Sequence, residues 1–436
     1  MRRLLLVPAL ALVLVGTPVL ALQVPTAPGA AVQDVPIAPE QSVDPGWQSA
    51  ETPVDSALVG ITWQGDPEAS FTVEARSSDG SWSAAPALDA SDVAPDAGTQ
   101  DAAPAAEAAS TGEHATEPVW IGDDATAVRV TVEGGTATDV SVAAVVESSG
   151  TTPDGAAGAL VGVVGPLDGT DRWLYSGALA ALVALLVALA LGWRPTRHVR
   201  GRKWLAMLGL GALLLTACVP VPQAPPAPSK KSSGGGTPSK PSIVSRAQWG
   251  AQGFSCGTPD LASSLKFASV HHTVNSNNYS SADTPRIVRG IQAYHMGTLG
   301  YCDIAYNFLI DNAGKVYEGR AGGTTNPVIG AHTGGFNTQS VGVALIGDFT
   351  SAQPTGAQFN ALVKLLRWRL SIAGVDPSKP FSTRAASSPC GCVRWADGTI
   401  VTFPNAILGH RDFDFTSCPG DAFYPRMGEL RAAVSP

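Results

Sequence analysis

Gly409-His410-Arg411-Asp412-Phe413-Asp414-Phe415-Thr416-Ser417-Cys418-Pro419-Gly420 is the stretch from which the fold reads outward. It sets an imidazole and a thiol eight positions apart, in a chain with only 7 His and 6 Cys. Far upstream, the apolar run Phe267-Ala268-Ser269-Val270 reads as a strand and delivers His271-His272-Thr273 at its end. Two ring nitrogens and one thiolate make a three-ligand zinc set with the fourth position open, as in a catalytic metal site. Singly, each residue reads as a buried histidine or a disulfide cysteine; the two segments together favour the metal.

The surrounding motifs carry a family resemblance. In order they are Ile243-Val244-Ser245-Arg246-Ala247-Gln248-Trp249-Gly250, Val270-His271-His272-Thr273, Tyr294-His295-Met296 and Asp303-Ile304-Ala305-Tyr306-Asn307-Phe308. Val316-Tyr317-Glu318-Gly319-Arg320, Gly330-Ala331-His332, Ser340-Val341-Gly342-Val343 and the His410 to Gly420 stretch complete the set. From residue 242 to 436 the chain resembles the peptidoglycan-recognition proteins and the zinc-dependent N-acetylmuramoyl-L-alanine amidases. That is a little under half of its 436 residues. The resemblance implies an α/β domain with a mixed central sheet flanked by helices.

The local signals agree with that architecture. Thr284-Pro285 is a cap followed by a first-turn proline, and Ile287, Ile291 and Tyr294 then fall on one helical face. Residues 306–310 and 315–319 read as paired strands around the turn Asp311-Asn312-Ala313-Gly314, and 341–346 as a buried central strand. A second helix starts near Thr355, presents Phe359, Leu362, Leu366 and Leu370, and stops at Gly374; a last one covers about 421–434.

Ahead of this domain the chain changes character several times. Met1-Arg2-Arg3 and the apolar run to Val15 read as a secretory signal peptide over 1–21. Residues 22–45, rich in Pro, Ala and Val, read as a linker. A small all-β, sandwich-like domain follows over 46–150, with alternating runs at 59–63, 71–76, 127–132 and 140–146. Inside it, 89–117 is an acidic Ala/Asp/Glu/Pro stretch without Lys or Arg. It lacks the large apolar residues that offset ordering entropy and reads as a disordered insertion.

Residues 174–193 carry no charge and match a bilayer core in length, with Trp173 and Trp193 placed as an aromatic belt. A basic cluster, Arg194 to Lys203, then precedes a second apolar segment, 204–218. Together they read as a transmembrane hairpin with both flanking domains on the extracytoplasmic side of the cell membrane. Leu215-Thr216-Ala217-Cys218 resembles a lipoprotein cleavage site, which would make Cys218 the lipidated residue; a free cysteine at a helix end is the equal alternative. Residues 219–241 form a flexible Pro/Ser/Gly/Lys linker. A net charge of −8 argues against a nucleic-acid partner.

Carried over residue by residue, the resemblance implies that His271, His410 and Cys418 hold one Zn2+ ion. His272 points to the other face of its strand and reads as a packed or hydrogen-bonded residue. Tyr306 matches the active-site tyrosine, and Thr416 occupies a site position two residues before Cys418. His332, Asn337 and Arg320 fall at substrate-groove positions. The implied reaction is hydrolysis of the amide between N-acetylmuramic acid and L-alanine in peptidoglycan. With Cys418 on the metal and Cys218 lipidated, Cys256, Cys302, Cys390 and Cys392 remain, and four cysteines pair in three ways. Two other function classes fit the same residues: a non-catalytic peptidoglycan-binding module, and a structural membrane protein anchored to the wall.

Overall fold

The computed structural model describes residues 29–43, 46–148 and 238–435. The signal peptide, both apolar runs, Cys218 and most of the second linker lie outside the described residues. Among the described residues, no helix is long and apolar enough to cross a membrane.

The N-terminal part is a sandwich of a five-stranded and a six-stranded sheet. Period-two patterning explains it. Phe71, Val73 and Ala75 on strand Ser70–Ser77 face inward, as do Val128, Val130 and Val132 on strand Ala125–Gly134. All of these but Ala75 meet Val59, Ile61 and Trp63 of strand Leu58–Gly65 in one apolar layer. The Asp79-Gly80 turn closes the hairpin between Ser70–Ser77 and Trp82–Ala84: Asp79 accepts from the backbone of Ser81, and Gly80 takes a φ of 87°.

Two sequence expectations fail here. The 22–45 linker contains strands Gly29–Pro36 and Pro39–Ser42, the first pairing antiparallel with Ala137–Ser148. Its pairing is supplied by that long neighbour, so weak alternation suffices. The acidic stretch 89–117 is likewise ordered. It holds helix Ala102–Ser110 and strand Glu113–Ala115, and Val93, Ala94, Asp96 and Asp101 are buried. Its ordering comes from what it lies against, described below.

The C-terminal part is a six-stranded mixed sheet in the order Ile243–Val244, Val316–Glu318, Phe308–Ile310, Ser340–Leu345, Phe267–His272, Ile407–Gly409. The last three of these run parallel. Alternation sorts the side chains between two layers. Phe308, Ile310, Val343 and Leu345 pack with helices Gly356–Ile372 and Met427–Val434 on one face. Leu309 and Ala344 join helix Thr284–Gly297 on the other. Thr355 caps the helix Gly356–Ile372 by accepting from Gln358, while the last expected helix breaks into a 3-10 turn, Tyr424–Arg426, and a helix, Met427–Val434. The cysteines resolve as Cys256–Cys302 and Cys390–Cys392, leaving Cys418 as the free, buried thiol among the described residues.

The two parts share a core. Leu58, Trp120, Ala143 and Val145 of the sandwich lie in one apolar cluster with Trp249, Ile287, Ile291 and Tyr294 of the C-terminal part. Polar contacts reinforce it: Trp120 donates its N–H to Asn275 at 2.8 Å, and Arg289 pairs with Glu147 at 2.6 Å.

Candidate metal centre

The parallel strands Phe267–His272 and Ile407–Gly409 are paired with Val270 opposite Gly409. Each is followed or ended by a histidine, so His271 and His410 emerge side by side at the carboxyl edge of the sheet. Their ring centroids are 4.5 Å apart. The loop after His410 then folds back, with Arg411 N–H donating to Cys418 O at 3.0 Å, and returns the thiol to the same point. The donor atoms of His271, His410 and Cys418 lie within 4.8 Å of one another, and all three residues are buried.

Each imidazole is held from behind. His271 Nε2 lies 3.2 Å from His332 Nδ1 and 3.3 Å from Thr333 Oγ1. His410 Nε2 lies 2.9 Å from Asp414 Oδ2. The remaining nitrogens turn inward: His271 Nδ1 is 3.7 Å from Cys418 Sγ, and His410 Nδ1 is buried without a hydrogen-bond partner. An orphaned inward nitrogen in a sulfur- and nitrogen-lined site is what a metal ion would satisfy. The donor set therefore fits zinc. Burial, together with neighbouring His410 and His332, holds His271 well below the usual imidazole range, which favours the neutral ring that a metal would need. Burial also opposes charge on His410, but the carboxylates of Asp92 and Asp414 outweigh it and raise its pKa well above normal. Burial raises the Cys418 thiol, only partly countered by the neighbouring His410.

His272 points the other way and accepts from Phe349 N–H at 3.2 Å; burial, only partly countered by Asp92 and Asp348, lowers its pKa to about 4. Tyr306 is buried beside the set, its ring 5.4 Å from that of His271, and burial holds its phenol protonated. Thr416 accepts the Cys418 N–H at 2.9 Å.

A model described as N-acetylmuramoyl-L-alanine amidase matches residues 262–421. Peptidoglycan-recognition protein SC2 of Drosophila simulans is 36% identical over 180 residues, 41% of this chain and 80% of that protein. The chain belongs to the peptidoglycan-recognition protein and amidase family. Peptidoglycan recognition protein 1 of Bos taurus is 32% identical over 42% of this chain and 80% of its own length. The solved structure of Drosophila peptidoglycan recognition protein SD is 27% identical, covers 44% of this chain and 95% of that one, and has a TM-score of 0.35. The sandwich matches a second model, Rv3811 N-terminal galactose-binding domain-like, over residues 21–154.

Within the recognition domain the structure separates the sequence-derived site residues into two groups. His271, His410, Cys418, Tyr306 and Thr416 converge. His332 is fully buried behind His271 and does not face a groove. A Cβ on Gly342 would overlap the His332 ring, so that glycine gives the ring its room. Arg320 and Asn337 are also buried, each bonded to an aspartate of the acidic segment. Sequence reading missed Asp414, which its spacing four residues after His410 could have signalled. It also missed Glu117, bonded to His295 at 3.1 Å, and Asp92, which nothing local marks.

Proposed function

We propose that this protein is a zinc-dependent N-acetylmuramoyl-L-alanine amidase that cleaves the amide between muramic acid and L-alanine of peptidoglycan outside the cytoplasm. The observation that carries the reading is the convergence of three buried donors, His271, His410 and Cys418, with both imidazoles braced from behind by His332 and Asp414. A recognition module has no need of a thiol held between two braced imidazoles. When bound, zinc supplies Lewis acidity toward the scissile carbonyl and toward water.

The chain's own residues supply the rest. His332 fixes the ring of His271 so that Nδ1 faces inward, and Asp414 does the same for His410. Tyr306 stays protonated and is a hydrogen-bond donor toward negative charge developing on the carbonyl oxygen. Thr416 anchors the turn that carries Cys418. For the exported location, the support is the apolar run 174–193 with its basic flank, which we read as an anchor holding the amidase domain to the membrane, with Cys218 as an alternative lipid anchor.

The deciding experiment measures zinc content together with release of stem peptide from purified sacculi. Stoichiometric zinc and peptide release support the enzyme. Sacculus binding without zinc or release would instead assign the chain to the recognition proteins that its relatives' names describe.

A further inference from the structure

Several polar residues around the metal centre, Arg320, Asn337 and Thr416 among them, take partners from a single stretch, residues 92–101. Asp92 accepts from the Thr416 hydroxyl, and its carboxylate lies 3.6 Å from His410 Nδ1. Asp96 is 1% exposed and accepts from the Asn337 N–H at 3.0 Å, the Asn337 side-chain amide at 2.9 Å and the Thr338 N–H and hydroxyl, each at 2.9 Å. Asp101 accepts from the Cys302 N–H at 2.8 Å and pairs with Arg320. Between these anchors, Tyr301 donates to Val93 O at 2.6 Å and Asn337 to Ala94 O at 2.8 Å. A disordered insertion would leave this row of donors without partners.

Charge and spacing give Asp92 a specific place. Two neutral imidazoles and a thiolate leave a loaded zinc site at a net charge of +1, which favours a nearby anion in a buried setting. Asp92 lies 3.6 Å from His410 Nδ1, outside the three-donor set and joined to it through His410. The segment also borders a cavity of about 320 Å³ lined by Ala90, Ser91, Val93, Ala105 and Tyr301 among others.

We infer that residues 92–101 form a built-in blocking segment: Asp92 holds its carboxylate against His410 and Thr416 beside the three-donor set, and Asp96 and Asp101 pin the segment there through Asn337 and Arg320. The inference rests on the zinc reading above. A tethered segment competes at an effective concentration on the order of millimolar, so substrate reaches the site only when the segment is displaced. The amidase is therefore latent in the intact chain.

The test uses the full chain loaded with Co2+ in place of zinc, with Asp92→Asn and Asp92→Ala compared with wild type. Loss of the carboxylate should change the Co2+ visible spectrum and speed metal transfer to a chelator by roughly 10- to 100-fold. With zinc, the same variants should release stem peptide from sacculi about tenfold faster or more, as the open population grows. The pair Asp96→Asn with Asp101→Asn should raise release too, and should expose 92–101 to limited proteolysis. An unchanged spectrum, or release that stays level or falls in the Asp92 variants, overturns the inference while leaving the zinc reading intact. Failure of the wild-type chain to take up either metal overturns the zinc reading and this inference with it.

Discussion

The His410 imidazole is braced by Asp414, whose buried carboxylate accepts from Nε2 at 2.9 Å from a position four residues further along the same loop. The brace fixes which nitrogen is left to face Cys418 and His271. Asp414→Asn keeps an acceptor in place but removes its charge. Zinc affinity should fall by roughly 10- to 100-fold, the range typical of residues that orient a metal ligand, with the circular dichroism spectrum unchanged. Equal zinc affinity in a chelator competition would remove Asp414 from this role.

Cys418→Ser should abolish hydrolysis and stoichiometric zinc binding, because a serine hydroxyl is a far poorer zinc ligand than a thiolate. The site is enclosed and the substitution is small, so the melting temperature of the metal-free protein should move little. Normal zinc content with normal turnover would sink the ligand assignment.

Tyr306→Phe tests the protonated phenol. It removes one donor without disturbing the packing against His271 and His295. Zinc should stay bound while kcat drops by roughly 10- to 1,000-fold, the usual cost of one transition-state hydrogen bond. A kcat equal to wild type would assign Tyr306 to packing alone.

Leu58→Ala probes the shared core from the sandwich side, where Leu58 packs against Gly290 of the helix Thr284–Gly297. It should destabilise by about 2–5 kcal/mol. Protection from hydrogen exchange should fall in strand Ser340–Leu345 as well as in strand Leu58–Gly65, and thermal unfolding should remain one transition. Loss confined to the sandwich would mean that the halves unfold independently.

Tags at both ends should fractionate with membranes, and both should be open to protease in intact protoplasts. One full-length band would indicate a hairpin through residues 174–218, and two membrane-bound fragments would indicate processing before Cys218. An amidase-end tag that is protected, or found mainly in the medium, would refute the anchored location.

Much of the recognition domain was legible because its signals are local. The turn Asp311 to Gly314 carries its own chemistry: Asp311 accepts from the N–H groups of Ala313 and Lys315, and Gly314 takes a φ of 81°. His271, His410 and Cys418 were legible through residue type and motif order. The acidic segment was not. Its composition is that of a disordered chain, and the groups that order it, Arg320, Asn337 and Thr416, lie more than 200 positions away in sequence. The same distance hid the engagement of Arg320 and Asn337, which left them looking like free groove residues. Strand Gly29–Pro36 escaped for a related reason, since its register against Ala137–Ser148 is set by the partner strand.

The apolar cluster that joins Leu58, Trp120 and Val145 to Trp249, Ile291 and Tyr294 also constrains the route of the chain between its halves. Two halves that bury one another must lie in the same aqueous compartment. Whatever path residues 149–237 follow, they return to the side they left, so they cross a bilayer an even number of times or not at all. A break anywhere in that connection, before Cys218 included, would leave a two-chain complex held by buried side chains and by the ion pair of Arg289 with Glu147.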